Sequence, residues 1–239
     1  MKKNILKILF LIISNFLLSQ SINKKLDFSK DSDTIYWNKY KHGLIIRHQL
    51  EDIQNRNDEL IFRFWNFGSC IEVTKNGTLY KGNVTYFVDE VDDYSKRQFK
   101  KVFNLEIEKA KEIIDLIGAR KINEIPSDKF ILGWEHGLDG VEYLFEYKTK
   151  NEYSFKNYWT PKSQVNLLEA TRIQVFIDEL YLICDSENLL KKFEKEIPFI
   201  SYSYNGGSIS ISRVMTVKEY KKFKKKKRKR KRQSINTKN

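Results

Sequence analysis

Residues 141–159 constrain the fold more than any other stretch. Val141, Tyr143, Phe145 and Tyr147 share one parity, and Glu142, Leu144 and Glu146 share the other. Lys148 to Glu152 supplies a turn, and the chain returns with Tyr153, Phe155 and Trp159 on one parity until Pro161 stops it. A period of two places alternate side chains on opposite faces of an extended strand and cannot make a helical stripe. Two such runs around a short polar turn predict an antiparallel hairpin.

Two further hairpins follow the same logic. Leu60 to Asn66 reads as a strand, Phe67-Gly68-Ser69 breaks it, and Cys70 to Thr74 continues extended. Asn76-Gly77 then separates this run from Leu79 to Val88, and both residues tolerate the positive φ of a tight turn. Gly82 shares the parity of Tyr80, Val84, Tyr86 and Val88, which marks a bulge or a close backbone approach. Near the end, Ile200, Tyr202 and Tyr204 alternate with serines, Asn205-Gly206-Gly207 turns the chain, and Ile209 and Ile211 alternate again. Leu44-Ile45-Ile46 reads as a first short strand.

Between the hairpins the period changes to 3.6. Ala110, Ile113, Ile114 and Ile117 form one face of a helix over 105–117, with Gly118 placed to end it. Ile173, Phe176, Ile177, Leu180, Tyr181 and Cys184 stripe a longer helix over 166–184. Ser186 is positioned to cap a third, over 187–196, that buries Leu189, Leu190 and Phe193. Hairpins separated by helices predict an α+β fold: an antiparallel sheet built from hairpins with helices packed on one face. The 16 Phe and 13 Tyr against 3 Pro favour strands and a packed core.

The organisation expected is a signal peptide at 1–20, a flexible lead-in at 21–43, a single α+β domain at 44–217 and a polybasic disordered tail at 218–239. Lys2, Lys3 and Lys7 precede the apolar run Ile8 to Leu18, and Ser19, Gln20 and Ser21 offer small or polar residues for cleavage. That order is a bacterial-type secretory leader, too short to span a bilayer, so the mature chain is expected to be secreted or periplasmic without an integral membrane span.

Charge is distributed very unevenly. Of the net +13, the segment after Val217 carries +12 and the leader +3, which leaves the body at −2. A nearly neutral body cannot grip nucleic acid by its own basicity. The tail residues Lys224, Lys225, Lys226, Lys227, Arg228, Lys229, Arg230, Lys231 and Arg232 are the polyanion-binding candidates. Their partners by chemistry are lipopolysaccharide, anionic lipid or nucleic acid. The bland alternative is a solvated extension without a role.

Gly133-Trp134-Glu135-His136-Gly137-Leu138-Asp139-Gly140 is the most site-like stretch of the body. His136 has the chemistry of a base near neutral pH, with Glu135 or Asp139 to orient it. No third convergent group is visible, and turn chemistry alone accounts for these residue types. Trp134, Tyr143 and Trp159 are candidate ligand-binding rings, and the strand tyrosines as a row could hold a glycan or a protein partner. The same rings equally suit a core rim. Cys70 and Cys184 form a disulfide if their backbones meet in an oxidising space; otherwise they are buried thiols. His42, His48 and His136 match no zinc signature, and Asp89 to Asp93 lacks the calcium-loop pattern, so neither a metal nor a cofactor is expected.

Four pieces, Phe67-Gly68-Ser69-Cys70, Asn76 to Gly82, Asp139 to Tyr143 and Tyr158-Trp159-Thr160-Pro161, resemble small exported bacterial domains of unknown function, over about residues 58–182. The resemblance implies an envelope or secreted α+β domain and brings no catalytic residues. The expected function is a non-enzymatic binding or interaction domain with a cationic tail. The alternatives are a hydrolase-like enzyme using Glu135, His136 and Asp139, and a polyanion binder acting through the tail.

Overall fold

The alternation at 141–159 becomes part of a nine-stranded sheet in the computed structural model, which describes residues 27–32, 36–91, 97–204 and 209–236. Along the chain these form β1 (Asp27–Phe28), α1 (Tyr36–His48), β2 (Leu60–Asn66), β3 (Ser69–Asn76), β4 (Leu79–Glu90) and β5 (Gln98–Asn104). Next come α2 (Ile107–Arg120), β6 (Glu142–Thr149), β7 (Glu152–Trp159), α3 (Leu168–Cys184), α4 (Ser186–Glu196), β8 (Ser201–Tyr204), β9 (Ile211–Ser212) and α5 (Val217–Asn236). The leader at 1–20 and the Asn205–Gly207 turn lie outside the described residues.

The sheet runs β1-β7-β6-β2-β3-β4-β8-β9, with β5 also paired to β4. Its pairs are antiparallel except the short parallel contact of β1 with β7. All three expected hairpins are present. Lys148 pairs with Tyr153 beside the β6–β7 turn. Asn66 pairs with Ser69 across a two-residue turn in which Gly68 takes φ +82°. At Gly82 the β3–β4 register is unbroken, Val73 facing it, so there is no bulge. The position is a close approach instead: a β-carbon there would come within 3.2 Å of Ala110 on α2.

One face of the sheet carries Phe62, Phe64, Val73, Val84, Phe145 and Tyr158, covered by the apolar stripes of α2, α3 and α4. Two expected boundaries shift. Gly118 does not end α2, which continues to Arg120 and stops where Lys121 takes φ 49°. Ser186 is not a cap but the first residue of α4. β5 is a strand that the sequence reading passed over; its Phe99 and Phe103 pack on the helix-covered face.

The α+β fold with an antiparallel sheet and helices packed on one face is thus as expected, and part of the opposite face is covered in addition. Ile61, Trp65, Phe87, Leu144 and Phe155 are buried there beneath Leu44 and Ile45 of α1. The residues expected as a lead-in and a short strand, 36–48, are therefore a helix. Its buried stripe is Lys41, Leu44, Ile45 and His48, at i, i+3, i+4 and i+7. Two of the four members are titratable, so an apolar period is not visible in the sequence.

Charges follow α1 into this second layer. Glu146 is fully buried. Trp65 Nε1 donates to its Oε1 at 2.7 Å and the Tyr153 hydroxyl to its Oε2 at 2.8 Å. Lys41 Nζ donates to the Tyr153 oxygen at 3.0 Å and lies 3.8 Å from Glu146 Oε2. Arg63, opposite Glu146 in the β2–β6 register, sits 3.7 Å from its Oε1 and donates through Nε to Glu72 at 2.8 Å. Burial, and then the Glu146 charge, push the Tyr153 phenol well up, so it remains a neutral donor.

Removing one partner of a buried ionic set leaves the others desolvated and uncompensated. Glu146→Ala is expected to destabilise the protein by about 3–5 kcal/mol, read as a fall in the urea midpoint. A loss below about 1 kcal/mol would mean that the surrounding cations reach water, and would refute the buried network.

Candidate functional site

The loop carrying His136 is built on the end of β7. Pro126 leads into Ser127, whose Oγ accepts from the Asn157 amide at 3.0 Å and donates to the Asn157 carbonyl at 3.1 Å. This places Asp128, only 1% exposed, against the strand end. Asp128 Oδ2 accepts from the Trp159 amide at 2.8 Å and from Asn157 Nδ2 at 3.2 Å, while Oδ1 accepts from the Lys129 amide at 2.7 Å. His136 Nε2 lies 3.2 Å from the same Oδ2.

Trp159 is the floor of the loop. The Trp134 indole donates to its carbonyl at 3.0 Å. A β-carbon on Gly137 would sit 2.8 Å from the Trp159 ring, and one on Gly140 2.5 Å from it. These two glycines are therefore required by close approach of the backbone to an indole. The His136 ring lies 6.0 Å from the Trp159 ring, with its side chain 49% exposed.

Neither expected orienting group meets His136. Glu135 and Asp139 are exposed; Gln164 brackets the Glu135 backbone by accepting from its amide and donating to its carbonyl. The carboxylate that meets His136 is Asp128, which the sequence reading passed over as part of a Pro-Ser loop. Among the described residues no hydroxyl or thiol is hydrogen-bonded to His136. The arrangement pairs a half-exposed imidazole with a buried carboxyl group.

A second carboxyl shares the locus. Burial pushes the Glu142 carboxyl up, the Asn157 side chain opposes this, and the neighbouring Asp128 charge adds to it. Burial likewise raises Asp128, opposed by the Trp159 amide and by His136. Glu142 Oε2 and Asn157 Oδ1 are both buried acceptors without a donor.

The other candidates are dispersed. Trp134 is buried, and Tyr143 stacks on Phe64 within the helix-covered layer, so neither ring is open to a ligand. Tyr80, Tyr86, Tyr147, Tyr158, Tyr202 and Tyr204 line the same covered face, and Tyr153 the other. Cys70 and Cys184 are free thiols on opposite faces of the sheet, so no disulfide joins them. His42 and His48 sit six residues apart on a helix rather than on one face of a strand, and His48 is stacked on Phe87. No group of metal-ligating side chains converges among the described residues. Asp89 is held by Arg47 and Gln98, not arranged for a cation; Asp92 and Asp93 lie outside the described residues.

The tail, expected to be disordered, forms α5. Thr216 and Glu219 make a capping box: the Glu219 amide donates to Thr216 Oγ1 at 3.3 Å and the Thr216 amide to Glu219 Oε2 at 2.9 Å. Twelve of the helix's twenty residues are Lys or Arg. Phe223, Lys227 and Arg230, at i, i+4 and i+7, are partly buried, and Arg230 Nη1 donates to Glu90 Oε1 at 3.1 Å. Glu90 is gripped at the same time by Arg97 through Nε and Nη2. A space of about 880 Å³ lies among Lys221, Lys225, Lys229 and Arg232. One helix walls it, so it is the gap between long cationic side chains rather than a chamber for a small ligand. No helix among the described residues is long and apolar enough to cross a membrane.

No protein-family model, curated protein or solved structure matches the chain.

The raised Glu142 acidity fixes the sign of a pH effect. A carboxyl whose folded pKa lies above its unfolded value contributes stability that is complete below the unfolded value and lost as pH rises through the folded one. Glu142→Gln cannot ionise and removes that loss. Its stability relative to the parent is expected to rise between pH 4 and pH 8, followed by urea midpoints at each pH. A difference that is flat or falls over this range would show that Glu142 is ionised without penalty in the folded protein.

Proposed function

We propose that this chain is an exported, non-enzymatic binding protein whose body mounts a cationic helix for polyanions. The observation that carries the reading is α5: its cations stand on an ordered, capped helix fixed to a body of nearly zero net charge. Ten of its twelve Lys and Arg residues are exposed. Concentrated positive charge on a rigid support attracts polyanions and gains further from counterion release. The secretory leader supports action outside the cytosol, where anionic surfaces and released polyanions are met.

The test keeps the full-length mature protein. Lys221→Gln, Lys225→Gln, Lys229→Gln and Arg232→Gln together remove four exposed charges from the helix while retaining good helix formers. Affinity for immobilised heparin is expected to fall about tenfold or more at moderate salt, and the parent's binding to weaken steeply as salt rises. Retention that ignores both the substitutions and the salt removes the proposal.

The pairing of Asp128 with His136 is what favours the enzymatic alternative, with Asp128 as orienting group in place of Glu135 or Asp139. His136→Ala decides it. A half-exposed imidazole with one polar partner is expected to cost no more than about 1 kcal/mol of stability, with no change in turnover of ester or glycoside substrates. A loss of hydrolysis of about 100-fold or more with the fold kept would establish the enzyme instead.

A further inference from the structure

The directions in which the α5 cations point narrow the class of polyanion. Successive helical residues are rotated by about 100°. Taking the stripe of Phe223, Lys227 and Arg230 as the side turned to the body, the exposed cations begin on one flank at Lys224 and Arg228. They continue across the outer side through Lys221, Arg232 and Lys225 and end on the other flank at Lys222 and Lys226. Together they cover an arc of about 200°. A planar array of phosphates, such as a lipid surface, meets only the outer side and leaves both flanks in water. A cleft with phosphates on both walls meets the outer side and the flanks together.

We infer that α5 binds duplex DNA, lying in the major groove with its flanking cations on the two phosphate walls. The major groove of B-DNA is about 12 Å wide and 8.5 Å deep, and an α-helix with its side chains is about 10–12 Å across. The side tied to the body by Arg230 and Glu90 then faces out of the groove mouth. The body, at −2, adds little repulsion. Lys224 to Arg232 carries no acceptor side chain, and Glu219 is occupied with Thr216, so the amino groups of cytosine and adenine find no acceptor on the helix; the flanking cations meet phosphates, and the outer ones can donate to guanine O6 and N7 on the groove floor. The narrow, deep major groove of A-form RNA does not admit the helix in this way. The inference rests on the polyanion reading and goes beyond it by naming the partner and the geometry.

The experiment titrates the full-length mature protein with mixed-sequence duplex DNA, duplex RNA of the same length, and phosphatidylglycerol vesicles, across a salt series. For duplex DNA the slope of log affinity against log salt is expected to be about −7 or steeper, since each neutralised phosphate contributes about −0.9. The two flank pairs, Lys222→Gln with Lys226→Gln and Lys224→Gln with Arg228→Gln, are each expected to make that slope shallower by about 2. Lys222→Arg with Lys226→Arg keeps the charge and is expected to keep the slope. Flank pairs that leave DNA binding unchanged, vesicles bound as tightly as DNA per phosphate, or duplex RNA bound as tightly as DNA would each overturn the groove while leaving polyanion binding in place. Binding to none of the three probes would remove both.

Discussion

The buried carboxylate of Glu146 is the constraint on which the two-layered sheet depends. A fully desolvated charge is tolerated only when cations and donors surround it. Here the partners come from different parts of the chain: Trp65 and Arg63 from β2, Tyr153 from β7 and Lys41 from α1. The requirement to satisfy Glu146 thereby fixes the register of three neighbouring strands and docks a helix that has little apolar stripe of its own. Two aliphatic residues, Leu44 and Ile45, cannot alone repay the ordering of a thirteen-residue helix. The ionic and hydrogen-bonded set completes the contact. Docking α1 in turn removes the second face from water and leaves the sheet sandwiched.

With the centre of both faces covered, the ends and edges of the sheet stay open. The two candidate sites are found there. Asp128 and His136 are held at the Trp159 end of β7 by backbone amides of that strand. The cationic helix is held at the Glu90 end of β4, where Arg97 and Arg230 share one carboxylate. In the first case rigidity serves a stable loop: Asp128 takes the Trp159 amide and the Asn157 side chain where β7 ends, and the Lys129 amide of its own loop. In the second it provides a fixed mounting for a helix with no core of its own.

Legibility in the sequence followed how much chemistry each element shares with its stereotype. β6 and β7 were readable because alternation of Tyr143, Phe145 and Tyr147 against Leu144 and Glu146 survives whether the second face is wet or buried. α2 and α3 were readable from unmixed apolar stripes. α1 was not, because Lys41 and His48 occupy core positions and read as surface. Asp128 was not, because its role comes from meeting β7 about thirty residues later, a long-range contact that local pattern does not encode. The cysteines show the same limit: nothing local states that β3 turns Cys70 to one face while α3 brings Cys184 to the other. The helical tail was partly legible. Thr216-Val217-Lys218-Glu219 is a capping box in plain sequence, and the density of charge after it obscured the signal.

That density sets the physics of α5. Nine consecutive cations place like charges at every i, i+3 and i+4 spacing from Lys224 to Arg232, and each such pair opposes the helix by a few tenths of a kcal/mol. The capping box at one end and the tie from Arg230 to Glu90 work against this repulsion. The balance depends on screening, so an anionic partner does more than attach to the helix. By neutralising the pairs it removes the term that opposes the helical state, and binding and helix stability reinforce each other. A nearly neutral body with a charged, self-repelling helix fixed at its edge is thus a system whose local order rises as those charges are screened.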